Sequence, residues 1–415
     1  MSDKYVLNNA QLLDVERGEI LHNRSILIEN GRISNIDEGS LQSAEATVID
    51  LHGKVVMPGL IDAHTHATIT TMNLNSIHSK PDSLIYLEAA PILEGMLMRG
   101  FTTVRDTGGG EAGLRDAIEK GIIEGPRMFY SGRMLSQTGG HGDHTPNHEG
   151  PSLCSCAINS NFFAHVADGV GAVRRATREE LKRGASQIKF CASGGIASSK
   201  DPLWSIQYSE EEMRAIVEEA ENWGAYAICH AHTPAAISRA AKAGVRSIEH
   251  GSIMDDKTIE VLVECGTYVV PTLIILQVFD ELGPTLGLPP EMQAKVQEVL
   301  ESSVTSLQKA HQAGIKIGFG TDLLGETHPQ QGREFDLRRQ VMSELEIIRS
   351  ATLVNAEIMK KSGEIGILKP DAWADLIVVD GNPLEDISVL SAPEGRHIDL
   401  IMKGGRIYKN TFVSV

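Results

Sequence analysis

The strongest constraint on this chain is an alternation that runs through its middle. Between about residues 57 and 365, short apolar runs alternate with stretches of helical periodicity. Runs at 59–64, 103–106, 128–131, 188–191, 225–230, 247–250, 268–272 and 316–321 read as strands. Helical patterns at 84–99, 174–184, 210–223, 235–243, 256–265 and 291–313 lie between them. Such alternation means parallel strands joined by crossover helices. Eight units in about 300 residues favour a closed (β/α)8 barrel over an open sheet. A doubly wound open sheet would want a glycine-rich phosphate turn after its first strand. Here that strand ends in His64-Thr65-His66, and Thr107-Gly108-Gly109-Gly110 lacks dinucleotide spacing.

The two ends read differently. Residues 1–56 contain short strand-like runs such as Ser25-Ile26-Leu27-Ile28, separated by turns such as Glu29-Asn30-Gly31. Residues 366–415 repeat the pattern in Asp375-Leu376-Ile377-Val378-Val379-Asp380. Neither end has enough strands to close a core alone. The expectation is one small β-domain from both ends, with the barrel of 57–365 inserted between them.

Composition removes several function classes. Hydrophobic residues make up 41% of the 415, enough for a substantial core, and the formal charge of −17 argues against a nucleic-acid partner. No apolar run is long enough for a membrane span, and the start does not read as a signal peptide. Five cysteines without a CxxC pair make a disulfide framework unexpected. A reducing, cytoplasmic setting fits best. Cys154-Ser155-Cys156 lacks the second cysteine pair of a structural zinc site.

Chemistry enters at the strand ends. Side chains two apart on a strand face the same way, so His64 and His66 can bind one ion together. His230 closes another apolar run, His250 follows Ser247-Ile248-Glu249, and Asp322 follows Ile317-Gly318-Phe319-Gly320-Thr321. Lys189 sits inside Gln187-Ile188-Lys189-Phe190-Cys191. Burying even a neutral polar group without compensation costs about 2–7 kcal/mol. One such residue is readily a satisfied core histidine, whereas convergence from five strands implies a shared ion. An ammonium cannot ligate a metal, so Lys189 either pairs with an acid, acts as a catalytic amine, or is carboxylated by CO2. A carbamate has two anionic oxygens to bridge two cations, which makes the best chemistry beside four histidines and an aspartate. Asp62 precedes the pair and is expected to orient the site without ligating.

These segments resemble the amidohydrolase superfamily along the whole chain. The resemblance rests on Val56-Met57-Pro58-Gly59-Leu60-Ile61-Asp62-Ala63-His64-Thr65-His66, then Ser247-Ile248-Glu249-His250-Gly251, Gly320-Thr321-Asp322 and Ala374-Asp375-Leu376-Ile377-Val378-Val379-Asp380. It implies an α/β fold, a distorted (β/α)8 TIM barrel with a small β-sandwich built from both termini. It further implies two divalent ions, with zinc the default. His64 and His66 would hold the more buried ion, carboxylated Lys189 would bridge, and His230 and His250 would hold the second. Asp322 would bind the first ion and carry protons. A hydroxide between the ions would attack the scissile carbonyl, with Asp322 delivering the proton to the leaving amine.

Within the superfamily the chain is similar to imidazolonepropionase-related proteins, including Xaa-Pro dipeptidases and carboxypeptidase-like enzymes. The carriers are Lys189-Phe190-Cys191-Ala192-Ser193-Gly194-Gly195, Gly139-Gly140-His141-Gly142 and His230-Ala231-His232-Thr233-Pro234. Lys189 favours the two-metal, peptide-cleaving branch, to which ochratoxin amidases are also similar. The alternatives are a lactonase or a single-metal deaminase or imidazolonepropionase-like ring hydrolase. The expected substrate is a dipeptide or N-acyl amino acid with a free carboxylate. His141 and His232 are its candidate binders, and His232 is able to exchange roles with His230. Arg105 and Tyr208 are weaker candidates. His144, His148 and His165 read as a solvated part of the 136–165 loop. A homo-oligomer is expected, since barrels of this kind commonly associate.

Overall fold

The computed structural model describes residues 4–77, 80–145, 162–198, 201–283, 285 and 288–412. His148, Cys154 and Cys156 lie outside these residues. Five strands open the chain: β1 (Tyr5–Asp14), β2 (Glu19–Glu29), β3 (Arg32–Glu38), β4 (Thr47–Asp50) and β5 (Val55–Pro58). The parallel strands follow: β6 (Leu60–Thr65), β7 (Phe101–Asp106), β8 (Arg127–Tyr130), β9 (Met134–Ser136), β10 (Ala164–Val166), β11 (Ile188–Cys191), β12 (Ala227–Ala231), β13 (Ser247–His250) and β14 (Tyr268–Val270). The chain ends in β15 (Leu376–Val379), β16 (Ile398–Lys403) and β17 (Arg406–Asn410).

Strands from both ends enter one connected sheet of order β17-β16-β15-β5-β1-β2-β3, with β4 paired to β1. The joint between the ends is antiparallel β15 on β5, with Ile377 opposite Met57. Alternate side chains of these strands enter two different cores. Val56, Leu376, Val378, Leu400 and Met402 pack with Leu7, Ile26 and Ile28. Val55, Met57, Ile377, Val379 and Ile401 pack with Leu60, Leu97 and Phe101 of the parallel layer. Burial on both faces is why Leu376-Ile377-Val378-Val379 is apolar throughout, without the alternation of a half-exposed strand.

The parallel strands form ladders of three (β6-β7-β8) and six (β10-β9-β11-β12-β13-β14). Seven of the eight anticipated strands are present. The eighth, at 316–321, is not: it contributes only the isolated bridge Val269↔Ile317. Its backbone still bonds to both neighbours, Gly318 N donating to Val269 O (2.8 Å) and Ala63 N to Phe319 O (2.8 Å). The Asn355 amide interrupts the ladder, donating to Ile61 O and Phe319 O and accepting from Phe319 N. A Cβ on Gly318 would lie 2.6 Å from Asn355 Oδ1, so this approach requires glycine. The short strands β9 and β10 had no sequence signal of comparable length.

The helices begin and end where local chemistry dictates. Glu210–Asn222 starts with Ser209 and Glu212 exchanging hydrogen bonds in a capping box. Asp255 caps Asp256–Cys265 by accepting from Thr258 N, and Gly266 ends that helix at φ 63°. Pro234–Ala243 opens on proline and closes on Gly244 at φ 97°. Among the described residues, no helix is long and apolar enough to cross a membrane.

Gly59 joins the terminal sheet to β6 under close constraint. A Cβ there would lie 2.1 Å from Thr102 Oγ1 and 2.8 Å from Thr102 Cβ. Gly59→Ala is therefore expected to destabilise the protein by about 1–3 kcal/mol. Gly171→Ala, inside the helix Val170–Lys182 with open space around its Cα, should be neutral or stabilising by up to about 1 kcal/mol. Chemical denaturation of the two variants beside the wild type checks both signs.

Candidate metal centre

One pocket gathers His64, His66, Lys189, His230, His250 and Asp322. His141, His144 and His232 also line it. Two groups bring possible ligand atoms within 4.8 Å of one another: His64, His250 and Asp322, and His230, His232 and His250. His250 belongs to both. Asp322 Oδ1 lies 3.3 Å from His64 Nε2 and 3.3 Å from His66 Nε2. His250 and Asp322 hold positive φ, 71° and 56°. Such a conformation costs a non-glycine residue about 1–3 kcal/mol and clusters at functional sites.

The histidine rings are anchored from behind. His64 Nδ1 meets Glu249 Oε2 at 2.8 Å, His66 Nδ1 meets Gly108 O at 3.1 Å, and His250 Nδ1 meets Thr272 Oγ1 at 2.8 Å. His232 Nδ1 lies 2.8 Å from Ser252 Oγ. Anchoring through Nδ1 is the arrangement that orients metal-binding imidazoles for ligation through Nε2, and His66 Nε2 also meets Thr107 Oγ1 at 3.1 Å. His230 is turned the other way, with Nε2 3.2 Å from Gly194 O. Its ring stacks on His141 at 4.4 Å between centroids.

Electrostatics favour an added cation. Burial and the surrounding histidines hold His230 well below the ordinary histidine pKa, and burial brings His232 down to about 3. Both are neutral and ready to donate a lone pair. His64 Nε2 is buried without a hydrogen-bond partner. Lys189 is buried, and burial lowers its pKa. Glu249, Cys191 and Asp322 act on it electrostatically in the opposite direction. The neutral amine is the form that adds CO2, and burial shifts Lys189 toward it. A set of imidazoles, one carboxylate and a potential carbamate fits divalent ions of the zinc type.

Arg105 is not a substrate binder. It is fully buried and donates through Nη2 to both Glu249 oxygens (2.8 and 2.9 Å) and through Nε to Ala63 O (2.6 Å). Tyr208 is buried beside Phe190 and does not line the pocket. The solvated-loop reading also fails for two histidines. His144 lines the pocket edge-on to Phe163, and His165 lies 3.9 Å from Glu180 Oε1. Asp62 acts at one remove: Oδ2 accepts from Thr321 Oγ1 (2.6 Å) and Gln331 Nε2 (2.9 Å), and Oδ1 from His64 N (3.1 Å).

Two supporting carboxylates escaped sequence reasoning. Glu249 accepts from Arg105, His64 and Ser247. Its signal was a charge one residue before His250 inside a fully buried strand. Asp106 accepts from Ala67 N, Gly108 N and Gly110 N. Its signal was the run Gly108-Gly109-Gly110, which wraps the carboxylate: a Cβ on Gly110 would lie 2.8 Å from Asp106 Cγ.

Against the upward push of burial, Arg105 and the His64 hydrogen bond bring the Glu249 carboxyl down to about 2, from an ordinary 4.5. A depressed carboxylate contributes stability that is complete above its unfolded pKa and lost as pH falls through its folded one. In metal-depleted protein, Glu249→Gln should cost about 3 kcal/mol or more at neutral pH, since it leaves Arg105 buried and unpaired. That difference should shrink as pH falls from about 4.5 toward 2. Urea denaturation across that range measures it. In loaded protein the same variant should bind metal about 10–100-fold more weakly in a chelator competition.

Known proteins share this architecture. The sequence profile of the amidohydrolase family matches residues 55–408. An ochratoxinase of Aspergillus niger is 33% identical over 424 residues, covering 98% of this chain and 87% of its own. A crystal structure of an amidohydrolase superposes with TM-score 0.95 at 46% identity, covering 98% of this chain and 99% of the other. A prolidase complexed with N-methylphosphonate-L-proline superposes with TM-score 0.95 at 45% identity, covering 98% and 100%. The chain belongs to the amidohydrolase family.

Proposed function

We propose that this protein is a binuclear metal-dependent hydrolase cleaving an amide or peptide bond next to a free carboxylate, a dipeptide or N-acyl amino acid. The observation that carries the reading is the meeting of Lys189 with two ligand groups that share His250 in one pocket. In this reading the parallel ladders are a distorted (β/α)8 barrel over 57–365, inserted into a terminal β-domain of 1–56 and 366–415. His64, His66 and Asp322 would hold one ion and His230 and His250 the other, with His232 able to replace His230. A carboxylated Lys189 would serve both ions, and zinc suits the donor set. Bound there, the ions would lower the pKa of water and polarise the scissile carbonyl.

The chain's own residues supply the rest. Asp322 keeps partial access to the pocket, takes the proton of the attacking water and returns it to the leaving nitrogen. His141 and His232 bind the carboxylate. His141 Nδ1 donates to Asp201 Oδ2 at 3.1 Å, which orients the ring and leaves Nε2 for the substrate. Ile275, Leu276 and Phe279 form an apolar wall opposite, which excludes water and accepts the substrate's apolar part. The relatives support this substrate class: one is an ochratoxinase, and another is a prolidase complexed with a proline phosphonate.

The test combines metal analysis with a library of dipeptides, Xaa-Pro included, and N-acyl amino acids, using protein grown with zinc and bicarbonate. The expected result is about two ions per chain and release of free amino acids. Lys189→Ala should lower metal content and abolish release while keeping the circular dichroism spectrum. One ion per chain with deamination or ring opening would replace this reading with the single-metal one. Hydrolysis of lactones without amide cleavage would make the protein a lactonase.

A further inference from the structure

Lys295 lies on the helix Pro290–Gln312, outside the ligand groups, and its ammonium is fully used. It donates to Gly195 O (2.8 Å), Ser198 O (2.6 Å) and Asp201 O (2.6 Å). Three carbonyls that converge on one point repel one another without a cation between them. An ammonium has three donors in tetrahedral array to match them, whereas a guanidinium is a planar fork.

The segment held in this way touches the site twice. Asp201 Oδ2 accepts from Gly195 N (2.8 Å) and meets His141 Nδ1 at 3.1 Å. Gly195 lies flat on the His141 ring: a Cβ there would be 2.3–2.6 Å from its Cε1, Nδ1 and Nε2 atoms. Gly194 O faces His230 Nε2. The same helix is seated by Met292, Val296 and Val299, which share an apolar cluster with Ile196 and Leu203 of the segment and with Phe279 of the pocket wall.

We propose that Lys295 is a positioning residue for substrate binding: by gathering the carbonyls of Gly195, Ser198 and Asp201 it fixes the Asp201 carboxylate, which aims His141 into the pocket. This rests on the reading of His141 as the carboxylate binder. Loss of Lys295 lets the carbonyls separate, frees Asp201 and allows the His141 ring to rotate off His230. The consequence is weaker substrate capture, with the proton transfer at Asp322 intact.

The test has two arms. In the first, nitrogen NMR of histidine-labelled, metal-loaded protein, assigned with His141→Ala, reports the hydrogen-bonded state of His141 without any substrate. Lys295→Met should change the His141 signals and Lys295→Arg should change them less. The second arm is kinetic. Lys295→Met should raise KM by about tenfold, with kcat within about threefold, the size of one lost charge-assisted hydrogen bond. In a His141→Ala background the same substitution should alter KM by less than about twofold, because the two act as one unit. Unchanged His141 signals in Lys295→Met, or an equal KM effect in both backgrounds, would overturn the proposal. If the wild type cleaves no amide, the carboxylate-binding reading falls, and the NMR arm alone decides whether Lys295 positions His141.

Discussion

The buried pair of Arg105 and Glu249 is the interaction on which the rest of the site depends. Arg105 comes from β7 and Glu249 from β13, and both are fully buried. Two charges removed from water are costly unless every donor and acceptor is satisfied. Here the fork-shaped guanidinium grips both carboxylate oxygens and also reaches Ala63 O on β6. The same carboxylate holds His64. A single charge pair thus ties three strands and fixes the ring of a prospective ligand. Its value is geometric: it places a histidine nitrogen, and apolar packing around it supplies the stability.

A second layer works from the opposite side. Asp62 connects His64 N and Thr321 to Gln331, and Gln331 accepts from Arg99 Nε. Thr321 precedes Asp322, whose φ of 56° is unfavourable for an aspartate. The hydrogen bond from Asp322 N to His64 O, 2.8 Å, holds that strained turn against the first strand. Strain at His250 and Asp322 therefore persists because neighbouring groups over-determine it. The glycine at 320 is part of the same arrangement, since a Cβ there would lie 2.7 Å from His64 Cβ.

The pocket is divided in character. Its polar floor comes from strand ends, which are rigid because both neighbours bond them. Its apolar wall, Ile275, Leu276 and Phe279, comes from the helix Leu273–Leu282, directly after β14. This helix is largely apolar because it shares an apolar cluster with Met292, Val296 and Val299 of the helix Pro290–Gln312. Polar groups on a scaffold and apolar groups on a separate element allow the wall to change without disturbing the histidine cluster.

The sequence by itself determined what repeats at short range. Period-two spacing put His64 and His66 on one face, strand–helix alternation gave the parallel layer, and polar residues closing apolar runs marked His230, His250 and Asp322. Helical periodicity placed five of the six anticipated helices within two residues of their ends, whereas the one expected at 174–184 begins at Val170. Tertiary structure decided everything that depends on partners distant in sequence. Glu249 serves His64 across 185 residues and Arg105 across 144, and no local pattern records such a pairing. The same holds for Lys295, which reads as a surface lysine on an amphipathic helix until the loop near Gly195 folds beneath it. The eighth strand was legible as an apolar run, yet the Asn355 side chain takes its ladder bonds from 36 residues away. Local periodicity fixes which face a side chain presents, whereas the partner it meets there depends on the closure of the whole chain.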